Sequence, residues 1–131
     1  MNVLETSFLV DYLREQPYTI DYLEANPHVK YAVPTIALYE LYAGARRSDA
    51  TTETIGTVAD ALEWAERVGF DDESAREAAD IRSELLDRGE PIPAPDTLIA
   101  GVARSLDAEL VATDTHFSEI SRLDTVNPRE R

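Results

Sequence analysis

At 131 residues the chain is long enough for one domain to bury a core without staples, and its 44% hydrophobic content suits an ordinary globular fold. It contains no cysteine and two histidines, His28 and His116, which excludes disulfides, thiolate zinc sites, cysteine nucleophiles and multi-histidine metal centres. The net charge of −14 discourages association with nucleic acid at low salt. Lys30 stands alone against eleven arginines, and the excess acid gathers in polar stretches such as Asp71-Asp72-Glu73, a composition resembling that of salt-loving archaea. At 1 M salt the Debye length falls to about 3 Å, so net charge does not veto a nucleic-acid substrate in such a cell. No apolar run approaches the roughly 18 residues of a membrane span, and Glu5 sits where a signal peptide carries basic residues, so a cytoplasmic location is expected.

The elements follow in alternation. Met1–Leu4 reads as a strand, and the hydroxyls of Thr6-Ser7 are expected to cap a helix through about Leu13. Pro17–Ala25 is a short helix broken by Asn26-Pro27. Val29–Val33 is a strand, and Pro34-Thr35 opens a helix to about Arg46. Helical spacing of Ile55, Val58, Ala59, Leu62 and Ala65 predicts a helix from Thr51 to Glu66, then a strand at Arg67–Phe70. Asp72–Arg88 is a helix stopped by Gly89, and Pro95 begins another through Leu106. Glu109–Ala112 is a strand, Phe117 and Ile120 mark a brief helix, Leu123–Val126 is a last strand, and Pro128 to Arg131 read as a loose tail. Strands alternating with helices imply a single α/β domain over residues 1–131, with a parallel sheet covered on both faces.

Charge is distributed unevenly along this pattern. The runs Met1–Val10, Tyr31–Ala45, Pro91–Ala103 and Leu110–Ser118 hold 47 residues but only four of the 38 charges: Glu5, Glu40, Asp96 and Asp114. A carboxylate among buried residues is costly unless compensated, and four without four matching cations point to a metal ion. Glu5 and Asp114 follow strands at the carboxyl edge of the sheet, where α/β folds bind ligands. Glu40 lies on a helix beside Ile36, Ala37, Ala43 and Gly44, so its carboxylate is expected to leave a buried or close-packed face. Asp96 occupies a helical first turn, where the dipole favours an anion. Taken singly, Asp96 also reads as a helix cap, Asp114 as a turn former and Glu5 as a strand-end residue facing water; Glu40 has no comparably plain explanation. His116 reads as a capping or packing residue, and Arg46 and Arg47 as a solvated helix end.

Four segments carry a resemblance to a known family. Val3-Leu4-Glu5-Thr6-Ser7-Phe8-Leu9-Val10-Asp11, Thr35-Ile36-Ala37-Leu38-Tyr39-Glu40-Leu41-Tyr42-Ala43-Gly44, Ile92-Pro93-Ala94-Pro95-Asp96-Thr97-Leu98-Ile99-Ala100 and Leu110-Val111-Ala112-Thr113-Asp114-Thr115-His116-Phe117 resemble, in order and spacing, the motifs of PIN-domain ribonucleases, and within them the VapC-type toxins of toxin–antitoxin pairs. The resemblance implies a three-layer α/β/α fold with a central parallel sheet of four or five short strands, and Mg²⁺- or Mn²⁺-dependent hydrolysis of RNA. It assigns the metal to Glu5, Glu40, Asp96 and Asp114, with the hydroxyls of Thr6, Ser7 and Thr113 behind them. Arg14, Arg46, Arg47 and Arg82 are the cations available to substrate phosphates. A homodimer and an antitoxin partner are implied as well, with Tyr12, Leu13, Tyr42 and Trp64 offering apolar contact area or, more simply, core packing. One departure stands out: the family's first acid is normally aspartate, and Glu5 reaches roughly 1.5 Å further, which leaves a catalytically weakened binding module as the alternative. A phosphoacceptor receiver is disfavoured because Glu5 is unpaired and no lysine follows the last strands; the five glycines form no phosphate loop.

Overall fold

A computed structural model describes residues 1–47 and 52–130. Thr51, where the fourth helix was expected to begin, the Ile55 side chain and Arg131 lie outside the described residues. Five parallel strands, β1 (Asn2–Leu4), β2 (Tyr31–Pro34), β3 (Glu66–Val68), β4 (Glu109–Val111) and β5 (Thr125–Val126), form one sheet in the order β3-β2-β1-β4-β5. The helices are α1 (Thr6–Leu13), α2 (Pro17–Ala25), α3 (Thr35–Arg47), α4 (Thr52–Ala61), α5 (Asp72–Asp87) and α6 (Ala94–Ser105). Val3 pairs with Ala32 on one side and Leu110 on the other, and all three are fully buried. Burial of both sheet faces explains why the strands read as continuous apolar runs rather than alternating ones.

This strand order sets the position of any ligand site. The chain runs outward from β1 to β3, then returns through α5 and α6 to β4 on the other side of β1. The connections therefore diverge between the carboxyl ends of β1 and β4, leaving a crevice there. Glu5 and Asp114 flank it, and the Glu5 amide donates to the Val111 carbonyl at 3.1 Å, tying the two strand ends together.

Most expected elements are present, with five corrections, the first being that the last strand, expected from Leu123, starts at Thr125. Val29 precedes β2, which starts at Tyr31. The fourth helix stops at Ala61 rather than Glu66 because Arg67 reaches back to its end. That guanidinium donates to the carbonyls of Ala59 at 2.9 Å and Leu62 at 2.6 Å, satisfying groups a continuing helix would have used. The strand then begins at Glu66, paired with Ala32, and ends at Val68 before Gly69 and Phe70. Finally, Pro128–Glu130 is no loose tail: Pro128 is buried, and Arg129 lies over the Tyr18 ring, 5.2 Å from its centroid. Gly89, at φ 68°, ends the α5 segment in the left-handed region as its identity suggested.

Candidate metal centre

Each acid reaches the crevice by a different route. Glu5 ends β1 and is the N-cap of α1, its Oε1 accepting from the Phe8 amide at 3.0 Å. The Thr6 and Ser7 hydroxyls, expected to cap this helix, are directed elsewhere; they lie inside the helix, where an N-cap side chain cannot lie. Glu5 is also not a strand-end residue facing water, being only 1% exposed. Burial drives its carboxyl pKa up to about 7, the Ser7 and Phe8 amides oppose that shift, and Asp114 and Asp96 add to it by repulsion.

Glu40 lies on α3, and its Oε1 accepts from the Thr6 hydroxyl at 2.5 Å. Its helix face is less enclosed than the apolar sequence implied: Ala37 is buried, but Gly44 is exposed. The residue therefore sits where the α1–α3 packing opens into a cavity of about 330 Å³ lined by Thr6, Arg14, Glu40 and Leu41 among others. Asp96 lies in the first turn of α6 and is half-buried. Burial is the largest cause of its raised pKa; His116 counteracts it, and Glu40 and Asp114 reinforce it. Asp114 is exposed and accepts from the Ser7 hydroxyl at 3.4 Å.

The tightest convergence includes a residue the sequence had pointed to packing. Ligand atoms of Asp96, Asp114 and His116 all lie within 4.8 Å of one another, the group of this kind found among the described residues. His116 Nε2 is 3.1 Å from Asp96 Oδ2, and its ring lies 4.7 Å from that of Phe117, which is fully buried. The ring therefore packs as expected while its Nε2 faces Asp96. The sequence signal is its position two residues after Asp114 in a run with no other charge, which a capping or packing role fits equally well. Glu5 and Glu40 fall outside this tight group but lie near it: Asp96 is repelled by Glu40, and Glu5 by Asp96 and Asp114.

The remaining candidates divide. Thr6 and Ser7 each hold a site carboxylate, whereas Thr113 contributes its backbone carbonyl to the Asn127 side-chain amide at 3.2 Å. Arg14 shares the cavity beside Glu40. Arg46 lines a separate groove with Tyr39 and Tyr42, Arg47 is exposed at the end of α3, and Arg82 lies in a groove between α5 and α6 that reaches Thr97. Of the expected contact residues, Tyr12, Leu13 and Tyr42 pack partly against the core, while Trp64 is 45% exposed and meets Tyr12 edge-on at 5.5 Å.

The donor set suits a divalent cation. Four carboxylates supply hard oxygen atoms, two of them are held with raised pKa, and no lysine or arginine forms an ion pair with any of the four among the described residues. Elsewhere the buried Arg104 pairs with the part-buried Glu77 at 2.6 Å and Glu84 at 3.4 Å, so carboxylates beside that stretch of core are matched by a cation.

Comparison with known proteins agrees with this geometry. The chain is 24% identical, over 94% of both chains, to the tRNA(fMet)-specific endonuclease VapC of Shigella flexneri. Its fold superposes on VapBC2 from Rickettsia felis, solved bound to a DNA fragment from its promoter, with TM-score 0.86, 27% identity and coverage of 96% and 97% of the two chains. It superposes equally on VapBC-1 from nontypeable Haemophilus influenzae, with TM-score 0.87, 21% identity and 98% coverage of each. The PIN domain family matches residues 3–123, nearly the whole described fold including all four acids and His116, and the chain belongs to that family.

Proposed function

We infer that this protein is a metal-dependent endoribonuclease, the toxin of a VapBC-type toxin–antitoxin pair. The observation that carries the reading is the approach of Asp96 and Asp114 beyond β1 and β4, with Glu40 and Asp114 held by the Thr6 and Ser7 hydroxyls next to Glu5 and no lysine or arginine paired with any of the four acids among the described residues. A bound Mg²⁺ or Mn²⁺ would neutralise the charge building on a phosphodiester and lower the pKa of an attacking water. The chain's own residues prepare the site for it. Thr6 and Ser7, on successive positions of α1, fix the Glu40 and Asp114 carboxylates, so their orientation costs little when the cation and substrate arrive. Asp96 lies in the first turn of α6, where the helix dipole works against the burial that raises its pKa. Arg14, beside Glu40, is the arginine best situated to meet a substrate phosphate.

The partners follow from the relatives. The similar VapBC2 structure is a toxin–antitoxin assembly, which supports a cognate antitoxin as partner; a homodimer of this chain is part of the same proposal and rests on the family resemblance alone. No helix among the described residues is long and apolar enough to cross a membrane, in keeping with work in the cytoplasm. One observation favours a second reading, a binding module of reduced activity: Glu5 is folded back as a buried cap.

Cleavage of a labelled RNA mixture in molar KCl separates the two. With Mn²⁺ or Mg²⁺ the native chain is expected to cut; chelator or Asp96→Asn abolishes cutting, and Glu5→Asp cuts as well or better. Cleavage that survives chelator, or none in any form, overturns the enzyme reading.

A further inference from the structure

Resting on the metal-dependent reading above, the geometry points to His116 as a nitrogen ligand that makes this site prefer Mn²⁺ over Mg²⁺. Three observations converge. The Nε2–Asp96 Oδ2 separation is 3.1 Å. Adjacent ligands of an octahedral ion with bonds of about 2.1 Å lie about 3 Å apart, so these two atoms already stand at the spacing of neighbouring ligands. Asp114 supplies the third atom of the same tight group. The imidazole is also held in place: the helical turn Thr115–Glu119 carries it, and its ring rests on Phe117, which is fully buried. A histidine placed only for packing has no need to turn its nitrogen toward two carboxylates.

The consequence concerns ion choice. Mg²⁺ is satisfied by oxygen ligands and water and gains little from imidazole, whereas first-row transition ions gain from a nitrogen donor. Replacing one oxygen position by His116 therefore favours Mn²⁺ selectively. The competing role, a hydrogen bond that merely orients Asp96, predicts no direct bond from nitrogen to the ion and no change in ion preference.

Pulsed electron paramagnetic resonance of Mn²⁺ bound to the full chain distinguishes them. The spectrum is expected to carry imidazole-nitrogen modulation that persists in His28→Ala and disappears in His116→Ala and His116→Gln. His28 is a suitable control because it precedes β2, at the opposite edge of the sheet from the site. Calorimetric titration with each ion is expected to show the Mn²⁺/Mg²⁺ affinity ratio falling about tenfold in both His116 variants, on the scale typical of losing a ligand or its support. Mn²⁺ binding without that modulation, or an unchanged ratio in the folded variants, overturns this inference and leaves the metal-dependent reading standing. Absence of any Mn²⁺ binding to the native chain overturns both.

Discussion

Glu5 directly follows β1 and caps α1 with its side chain. Its carboxyl turns back onto the Phe8 amide and is almost completely shielded, and burial raises its pKa from 4.5 to about 7. A carboxyl that holds its proton more tightly folded than unfolded makes its full contribution to stability below pH 4.5, and that contribution is lost as pH rises through about 7. Asp96, raised for the same reason, acts in the same direction. The metal-free protein is therefore expected to lose stability between pH 4.5 and 7, and Glu5→Gln to flatten the slope. The full difference corresponds to about 3 kcal/mol, read from thermal melts in chelator across that window. Asp71 and Glu84, whose pKa values are lowered, work on the acid side of this range and leave the comparison clean. An identical slope in Glu5→Gln would mean that the buried carboxyl is not the source.

Among the elements, α6 matters most because it carries Asp96 and is held by α5. Gly101 is where the two helices touch: a Cβ there would lie 2.7 Å from Ala78 Cβ and 2.8 Å from the Ser74 carbonyl oxygen. Backbone atoms cannot step aside as a flexible side chain would, so Gly101→Val must push α6 away from α5. The expected cost is about 2–3 kcal/mol in chemical denaturation, typical of overpacking. Weaker metal binding should accompany it, since Asp96 moves with the helix. The Arg104 ion pairs to Glu77 and Glu84 cross the same interface, and Arg104 also donates to the Ser121 carbonyl at 3.1 Å, linking both helices to the approach to β5.

At the scale of the molecule the acidic surface is the main feature. A net charge of −14 on 131 residues opposes compaction through self-repulsion. Ion pairs relieve little of it: Arg76 with Asp72 is a fully exposed pair on one helix. Raising KCl from about 0.1 M to 2 M shrinks the Debye length from about 10 Å to below 3 Å. The melting temperature is therefore expected to climb steadily over this range, the opposite of a fold held by surface salt bridges. A melting temperature that is flat or falling with KCl would show that repulsion is not what limits stability.

The sequence by itself determined the α/β alternation, the parallel sheet and the four acids, because apolar periodicity and charge segregation are local records of burial. Gly89, Pro34 and Asn26-Pro27 marked element ends for the same reason: backbone restrictions act within a few residues. It misjudged the cap of α1, the end of α4 and the tail, because each depends on a partner distant in the fold or on a choice between neighbouring caps. Arg67 halts a helix by folding back on it, and Pro128 is buried by packing near α2. Only the tertiary structure decided that α6 and the turn after β4 bring His116 against Asp96 across twenty residues. A spacing along the chain fixes which side chains share a helix face, but distances between elements arise from how the sheet and its helices pack.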